Sequence, residues 1–240
     1  MVLEFEQRNI AKWMRMHSQT VEFKFSGETY FNYLLRNYNI IKNADIPTPT
    51  LLEYNEQDCT AVFERIQGKT DIDSWNTEIF DIVEKYHRAG SVKDKIDLHW
   101  LDLRLPVPFV NRDILISKTD CFIHSDPSRV NFIHAQDKIY VIDIDDSVMG
   151  PREFDYAKIF FDQYSLRNFD LYDKFLSDAG IDNEELFLVC AQWQTIFADY
   201  FTQHFPRPTS KQLEKNAKFI DRKLKNFGLP TQDFYRTSQV

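Results

Sequence analysis

Short alternating or β-rich stretches occupy the first 25 residues, at Val2 to Phe5, Trp13 to His17 and Thr20 to Phe25, with polar turns at Gln7-Arg8-Asn9 and Ser18-Gln19 between them. A period of two is that of a half-buried strand, so the pattern predicts a three-stranded antiparallel start. In the third stretch Val21, Phe23 and Phe25 share one face, and Glu22 and Lys24 share the other. Ser26-Gly27-Glu28 then gives a turn and a helix start. Tyr30, Phe31, Leu34, Leu35 and Tyr38 recur at helical spacing until Ile46-Pro47 stops the run. Leu51 to Tyr54 and Thr60 to Ile66 predict two further strands.

Gln67-Gly68-Lys69 breaks this pattern and marks the expected boundary between a β-rich N-terminal lobe, residues 1–66, and the remainder, residues 67–240. Ile79, Phe80, Ile82, Val83 and Tyr86 make an amphipathic helix from Thr77 to Arg88, ended by Gly90. A charged, proline-containing stretch from Ser91 to Pro108 follows, then a predicted helix from Val110 to Lys118. Short strands around Cys121 to Ile123 and Lys138 to Ile144 flank a loop and a second apolar segment, Val130 to His134. After Pro151 the spacing is helical over 153–164, 167–179, 183–204 and 209–227, with Gly180 and Pro206 as breaks. The expected class is α+β, a β-rich lobe followed by an α-rich one.

Composition narrows the function. With 240 residues, 43% hydrophobic and 28% charged, the chain suits one sizeable core or two small lobes. A net charge of -8 argues against nonspecific nucleic-acid binding, which draws on Lys and Arg, and favours neutral or cationic partners. Cys59, Cys121 and Cys190 are odd in number and far apart, so they supply neither a disulfide framework nor a zinc pattern. The N-terminus lacks a basic start followed by an apolar core, and no apolar run approaches the roughly 20 residues that span a bilayer. The expectation is a cytoplasmic protein with no membrane partner.

The chemistry concentrates between Ile123 and Asp155. Asp126 is followed five residues later by Asn131, and twelve residues after that Asp143 closes an apolar strand. Phosphoryl transfer from a nucleotide requires a hard cation bridging the phosphates, and Mg²⁺ takes oxygen ligands from very few side chains. Asn131 and Asp143 suit that role. A further carboxylate must orient the acceptor hydroxyl and take its proton, and Asp126 is the candidate. His124, two residues earlier, is better placed to brace the loop backbone than to do chemistry.

At these residues the chain resembles the aminoglycoside phosphotransferase and choline kinase family, protein-kinase-like enzymes whose catalytic loop reads His-Gly-Asp-x-x-x-x-Asn. The metal motif of that family, apolar-Ile-Asp-Trp/Phe-Asp/Glu, is followed by Gly-x-Pro-x-x-Asp-Leu-Ala. The corresponding segments are His124-Ser-Asp126 to Asn131, Val141-Ile-Asp143-Ile-Asp145 and Gly150-Pro-Arg-Glu-Phe-Asp155-Tyr-Ala157. The resemblance implies a two-lobed protein-kinase-like fold and Mg²⁺-dependent transfer from ATP, with GTP not excluded, to a small hydroxylated substrate. It also implies Asp126 as catalytic base with His124 in the same loop, Asn131 and Asp143 as metal ligands, and Asp155 as a buried structural carboxylate.

By the same resemblance Lys24 would hold the α/β-phosphates, paired with Glu28, with Lys12 competing for the lysine role. Glu64 and Ile66 lie in Phe63-Glu64-Arg65-Ile66, where the family's inter-lobe hinge offers backbone groups to adenine. Ser125 departs from the family's glycine, and the turn between the first two strands has no Gly-rich cradle. These departures motivate an alternative, a nucleotide-binding pseudokinase that regulates or scaffolds a partner. Only eleven residues separate Asp143 from Asp155, which leaves no room for a protein-kinase activation loop. Asp145 and Asp146 could bind a second Mg²⁺ or a cationic substrate, or face solvent.

Overall fold

The structure, a computed structural model, describes residues 2–7, 10–70, 77–90, 109–135, 138–161, 169–202 and 210–231. It is α+β, as the change of period along the chain predicts. Two compact units divide it: Met1–Gly90 with Asp126–Ser147, and Ser91–Ser125 with Val148–Val240.

The first unit is built on an antiparallel sheet of β1 (Val2–Gln7), β2 (Ile10–Met16), β3 (Thr20–Phe25), β4 (Leu51–Asn55) and β5 (Thr60–Glu64), in the order β1-β2-β3-β5-β4. Helix α1 (Glu28–Asn43) follows β3 and buries a stripe of Phe31, Leu34, Asn37 and Ile41. Phe31 packs against Phe25, with ring centroids 6.1 Å apart. The helix closes where Asp45 takes a left-handed backbone, φ 54°, and the Ile46 amide reaches back to the Ile41 carbonyl at 3.2 Å; Pro47 then forbids continuation.

Helix α2 (Thr77–Ala89) buries Ile79, Ile82, Val83 and Tyr86, and the Tyr86 hydroxyl hydrogen-bonds the Ser147 hydroxyl. Gln67-Gly68-Lys69 lies inside this unit. Lys69 and His134 exchange amide-to-carbonyl bonds of 2.9 Å, and a Cβ at Gly68 would stand 2.2 Å from the His134 carbonyl oxygen. Glycine is required there by the close backbone approach.

The segment from Val130 to His134 contributes a strand. A hairpin of β7 (Phe132–Ala135) and β8 (Lys138–Val141) pairs Phe132 with Val141. On its other side, β8 meets the chain after α1: the Val141 amide donates to the Pro47 carbonyl at 2.8 Å, and the Thr48 hydroxyl donates to the Val141 carbonyl at 2.9 Å. The strand expected to run to Ile144 stops at Val141, because Asp143 turns left-handed and Ile144–Asp146 forms a 3-10 turn.

In the second unit β6 (Cys121–Ile123) pairs antiparallel with β9 (Val148–Gly150). The helix expected from Val110 to Lys118 shortens to α3 (Arg112–Leu115). The later helical spacings yield α4 (Arg152–Ile159), α5 (Tyr172–Asp178), α6 (Glu184–Thr202) and α7 (Ser210–Asn226). A cluster of Phe160, Phe161, Tyr172, Phe175, Phe187 and Phe219 forms the core of this unit. The central part of α6, from Leu186 to Ala191, is buried, as expected of a helix that is apolar nearly all round. Among the described residues no helix is long and apolar enough to cross a membrane. The stretch from Ser91 to Pro108 lies outside the described residues.

Candidate active site

The His124-Ser125 segment is fixed by a buried carboxylate. Strand β6 ends at Ile123, its partner β9 ends at Gly150, and Pro151 starts α4, whose first turn includes Asp155. Asp155 is fully buried; its Oδ2 accepts the His124 amide and its Oδ1 the Ser125 amide, both at 2.9 Å. One carboxylate thus fixes two successive peptide groups, and both bonds are charge-assisted. Asp155 therefore has the buried structural place that the resemblance implies.

Ser125 has φ 72°, a left-handed conformation. This explains why glycine suits the position in the related loop motif: an L side chain at positive φ costs about 1–2 kcal/mol. Ser125 keeps the backbone path at that cost. Ser125→Val adds a β-branch where it is least tolerated and is expected to lower the unfolding free energy by roughly 1–3 kcal/mol more, whereas Ser125→Gly is expected to fold normally. Urea denaturation of the two variants checks this.

After Ser125 the chain turns tightly. The Ser128 amide donates to the Asp126 carbonyl at 2.7 Å, and Arg129–Asn131 forms a 3-10 turn leading into β7. Asn131 is buried, and its Nδ2 donates to the Asp126 carbonyl at 2.8 Å, with Oδ2 of Asp126 at 3.5 Å. The Asn131 carbonyl in turn accepts the Ile142 amide at 3.0 Å. Asn131 precedes β7 and Asp143 follows β8, so both stand at the open end of one hairpin, with Asp126 held to Asn131. Asp126, Asn131 and Asp143 therefore belong to one compact unit.

Asp143 adopts a left-handed backbone, φ 59° and ψ 47°, at the start of the 3-10 turn. Its Oδ1 accepts a 2.8 Å bond from Lys12 Nζ, and Asp145 Oδ1 accepts another at 2.6 Å. Burial opposes a charge on Lys12, yet the two carboxylates outweigh it and hold the ammonium pKa well above the usual lysine range. Burial pushes the Asp145 carboxyl up to about 6, against the pull of Lys12. The loop is clamped from α1, where Asn37 Nδ2 donates to the carbonyls of Ile144 and Ser147 at 2.9 Å and of Asp145 at 3.2 Å.

Lys24 does not join this cluster. It is exposed on β3, opposite Trp13 and Thr60, on the face away from Phe23 and Phe25. The lysine at Asp143 is Lys12, which stands opposite Phe25 on β2 and shares its face. Glu28 begins α1 as an exposed residue. Glu64 turns its carboxylate to the Thr50 amide and hydroxyl, at 2.8 and 2.9 Å, and the sheet pairing ends there, so Ile66 lies just beyond the ladder. His124 is buried, with its backbone amide on Asp155.

Two residues were not among the sequence candidates in these roles: Asn37, and Asp145 as a partner of lysine. Asn37 carries a readable signal, a lone polar position in the stripe Phe31, Leu34, Ile41. The donor set fits a hard cation. With Nδ2 of Asn131 committed to Asp126, its Oδ1 and the carboxylate of Asp143, whose side chain is 43% exposed, are the oxygen donors of the kind such a cation takes.

An antiparallel five-stranded sheet with one helix after its third strand, the tight loop from Ser125 to Asn131 with the β7–β8 hairpin, and an α-rich unit define a protein-kinase-like fold. Solved structures share it over nearly the whole chain. The choline kinase LicA from Streptococcus pneumoniae matches with a TM-score of 0.63 at 15% identity, covering 94% of each chain. A choline/ethanolamine kinase family protein from Mesorhizobium loti matches at 0.55 and 12% identity, covering 96% of this chain and 88% of that one. The ADP-bound aminoglycoside phosphotransferase APH(2'')-Ib matches at 0.53 and 13% identity, over 92% and 91%. No protein-family model matches the sequence, and no curated protein is similar to it in sequence.

Proposed function

We propose that this protein is a Mg²⁺-dependent phosphotransferase that moves the γ-phosphoryl group of ATP to a hydroxyl of a small molecule. The observation that carries this reading is the joining of two motifs at one hairpin: Asn131 Nδ2 on the Asp126 carbonyl at 2.8 Å, and the Asn131 carbonyl on the Ile142 amide at 3.0 Å, next to Asp143. Asp126 orients the acceptor hydroxyl and takes its proton, while Asn131 Oδ1 and the Asp143 carboxylate would hold a Mg²⁺ ion. A Mg²⁺ ion held there would supply positive charge against that of the nucleotide phosphates. The backbone beyond Glu64, at Ile66, serves adenine, and the strand-rich residues 1–66 serve the nucleotide while 67–240 supply catalytic and acceptor groups.

The fold neighbours support the reaction class: one is a choline kinase, one a choline/ethanolamine kinase family protein and one an ADP-bound aminoglycoside phosphotransferase. The acidic charge favours an acceptor that carries an amine. The decisive test is ATP consumption with Mg²⁺ against a panel of amino alcohols, sugars and aminoglycosides. Turnover that needs both an acceptor and Mg²⁺, and that EDTA abolishes, is the expected result. Nucleotide binding without phosphorylation of any acceptor would favour a pseudokinase instead.

A further inference from the structure

A nucleotide held at Asp143 needs a fixed cation on its phosphates as well as a metal, and the third strand does not supply one. On β3 the face that packs toward α1 carries Phe23 and Phe25, and the alternation that places them there turns Lys24 to the exposed side. Strand β2 compensates. Lys12 lies directly opposite Phe25 and shares the inner face, and its Nζ passes 4.9 Å from the Phe23 ring centroid and 5.8 Å from that of Phe25. The side chain therefore crosses the aromatic pair and ends on the carboxylates of Asp143 and Asp145.

The partner also changes place. The inward stripe of α1 presents Asn37 rather than an acid, and Asn37 is spent on the backbone of the 144–147 loop. Asp145, with its side chain only 12% exposed, is the acid that anchors the ammonium, while Asp143 is the more exposed of the two carboxylates. Asn37 fixes the carbonyls of Ile144 and Asp145 and thereby sets where both carboxylates stand.

We infer that Lys12, delivered from β2 and anchored by Asp145, is the lysine that binds the nucleotide phosphates beside Asp143. This assignment rests on the phosphotransferase reading above. A phosphate group that shares a metal with Asp143 must come within a few ångströms of that carboxylate, and Lys12 Nζ stands 2.8 Å from it. A lysine ammonium has three donors, so it can keep its bond to Asp145 while turning another to a phosphate oxygen. Asp145 then serves as a positioning residue, because it acts on the nucleotide through Lys12.

The test is calorimetric titration of Mg·ADP into the wild type, Lys12→Met, Lys24→Met and the double variant Lys12→Met/Asp145→Asn, with thermal melting of each. The double variant removes both buried charges together, so it avoids leaving Asp145 without its cation. Lys12→Met and the double variant are expected to weaken Mg·ADP by roughly 10- to 100-fold, the worth of a charge-assisted phosphate contact, and Lys24→Met to bind as the wild type does. A double variant that melts like the wild type yet loses the nucleotide separates binding from folding. The assignment is overturned if that variant binds Mg·ADP normally, or if Lys24→Met suffers the loss instead. A wild type that binds no Mg·ADP removes the phosphotransferase reading and this assignment together.

Discussion

Asp126→Asn is expected to lower kcat by roughly 10²–10⁴-fold, the usual contribution of a positioned general base, while leaving Mg·ADP affinity within a factor of about two. An amide can still accept a hydrogen bond from the acceptor hydroxyl, but it cannot take up the proton released as the new bond forms. The loop should survive the change. Asn131 is held mainly by the backbone carbonyl of Asp126, at 2.8 Å, and the carboxylate oxygen is a distant 3.5 Å from the same nitrogen. Single-turnover measurement with the best acceptor, beside nucleotide titration, reads the two effects separately. A kcat within tenfold of the wild type would remove Asp126 from the chemistry, and a matching loss of Mg·ADP affinity would make its role structural.

The residues best legible in the sequence are those whose spacing is local. Asp126 and Asn131 belong to one turn, and Asp143 follows the second strand of the hairpin that Asn131 opens, so chain distance alone returns it to the same open end. Asp155 is legible through its motif, although the pairing of β6 with β9 that brings it to His124 and Ser125 is a contact between distant segments with no local signature. Ser125 illustrates the opposite case, in which a residue that departs from the glycine of the motif still takes a left-handed backbone, φ 72°.

The lysine that meets Asp143 and Asp145 is harder to read because strand address and strand face are separate facts. Family resemblance supplies an address, the third strand, whereas the alternation Val21, Phe23, Phe25 already sets Lys24 on the other face. A second strand taken to begin at Trp13 leaves Lys12 outside any strand. Begun at Ile10, as it is in the structure, the same strand shows a charged residue at Lys12 in register with Met14 and Met16, on the face shared with Phe25. A lone lysine on an otherwise apolar strand face implies a buried counter-charge, since an unpaired ammonium there would be strongly disfavoured. The run Asp143-Ile-Asp145 offers that charge, but sequence separation hides the pairing.

Asp155→Ala is expected to cost roughly 3–5 kcal/mol, because it leaves the amides of His124 and Ser125 buried without an acceptor, at about 1–3 kcal/mol each, and removes two charge-assisted bonds. Against a total stability of about 5–15 kcal/mol for a typical domain, this brings the protein close to unfolding at ordinary temperature. Asp155→Asn separates the causes. An asparagine offers one acceptor oxygen and presents its NH₂ to the other amide, so one bond survives and the other becomes a donor facing a donor. Its cost should fall between those of the wild type and the alanine variant, by urea denaturation at neutral pH. The two amides immediately precede Asp126, so kcat should fall in Asp155→Asn even at temperatures where the variant remains folded, with the loss appearing in kcat more than in nucleotide affinity. If both variants lost less than about 1 kcal/mol, the bidentate bond would not be what holds the loop.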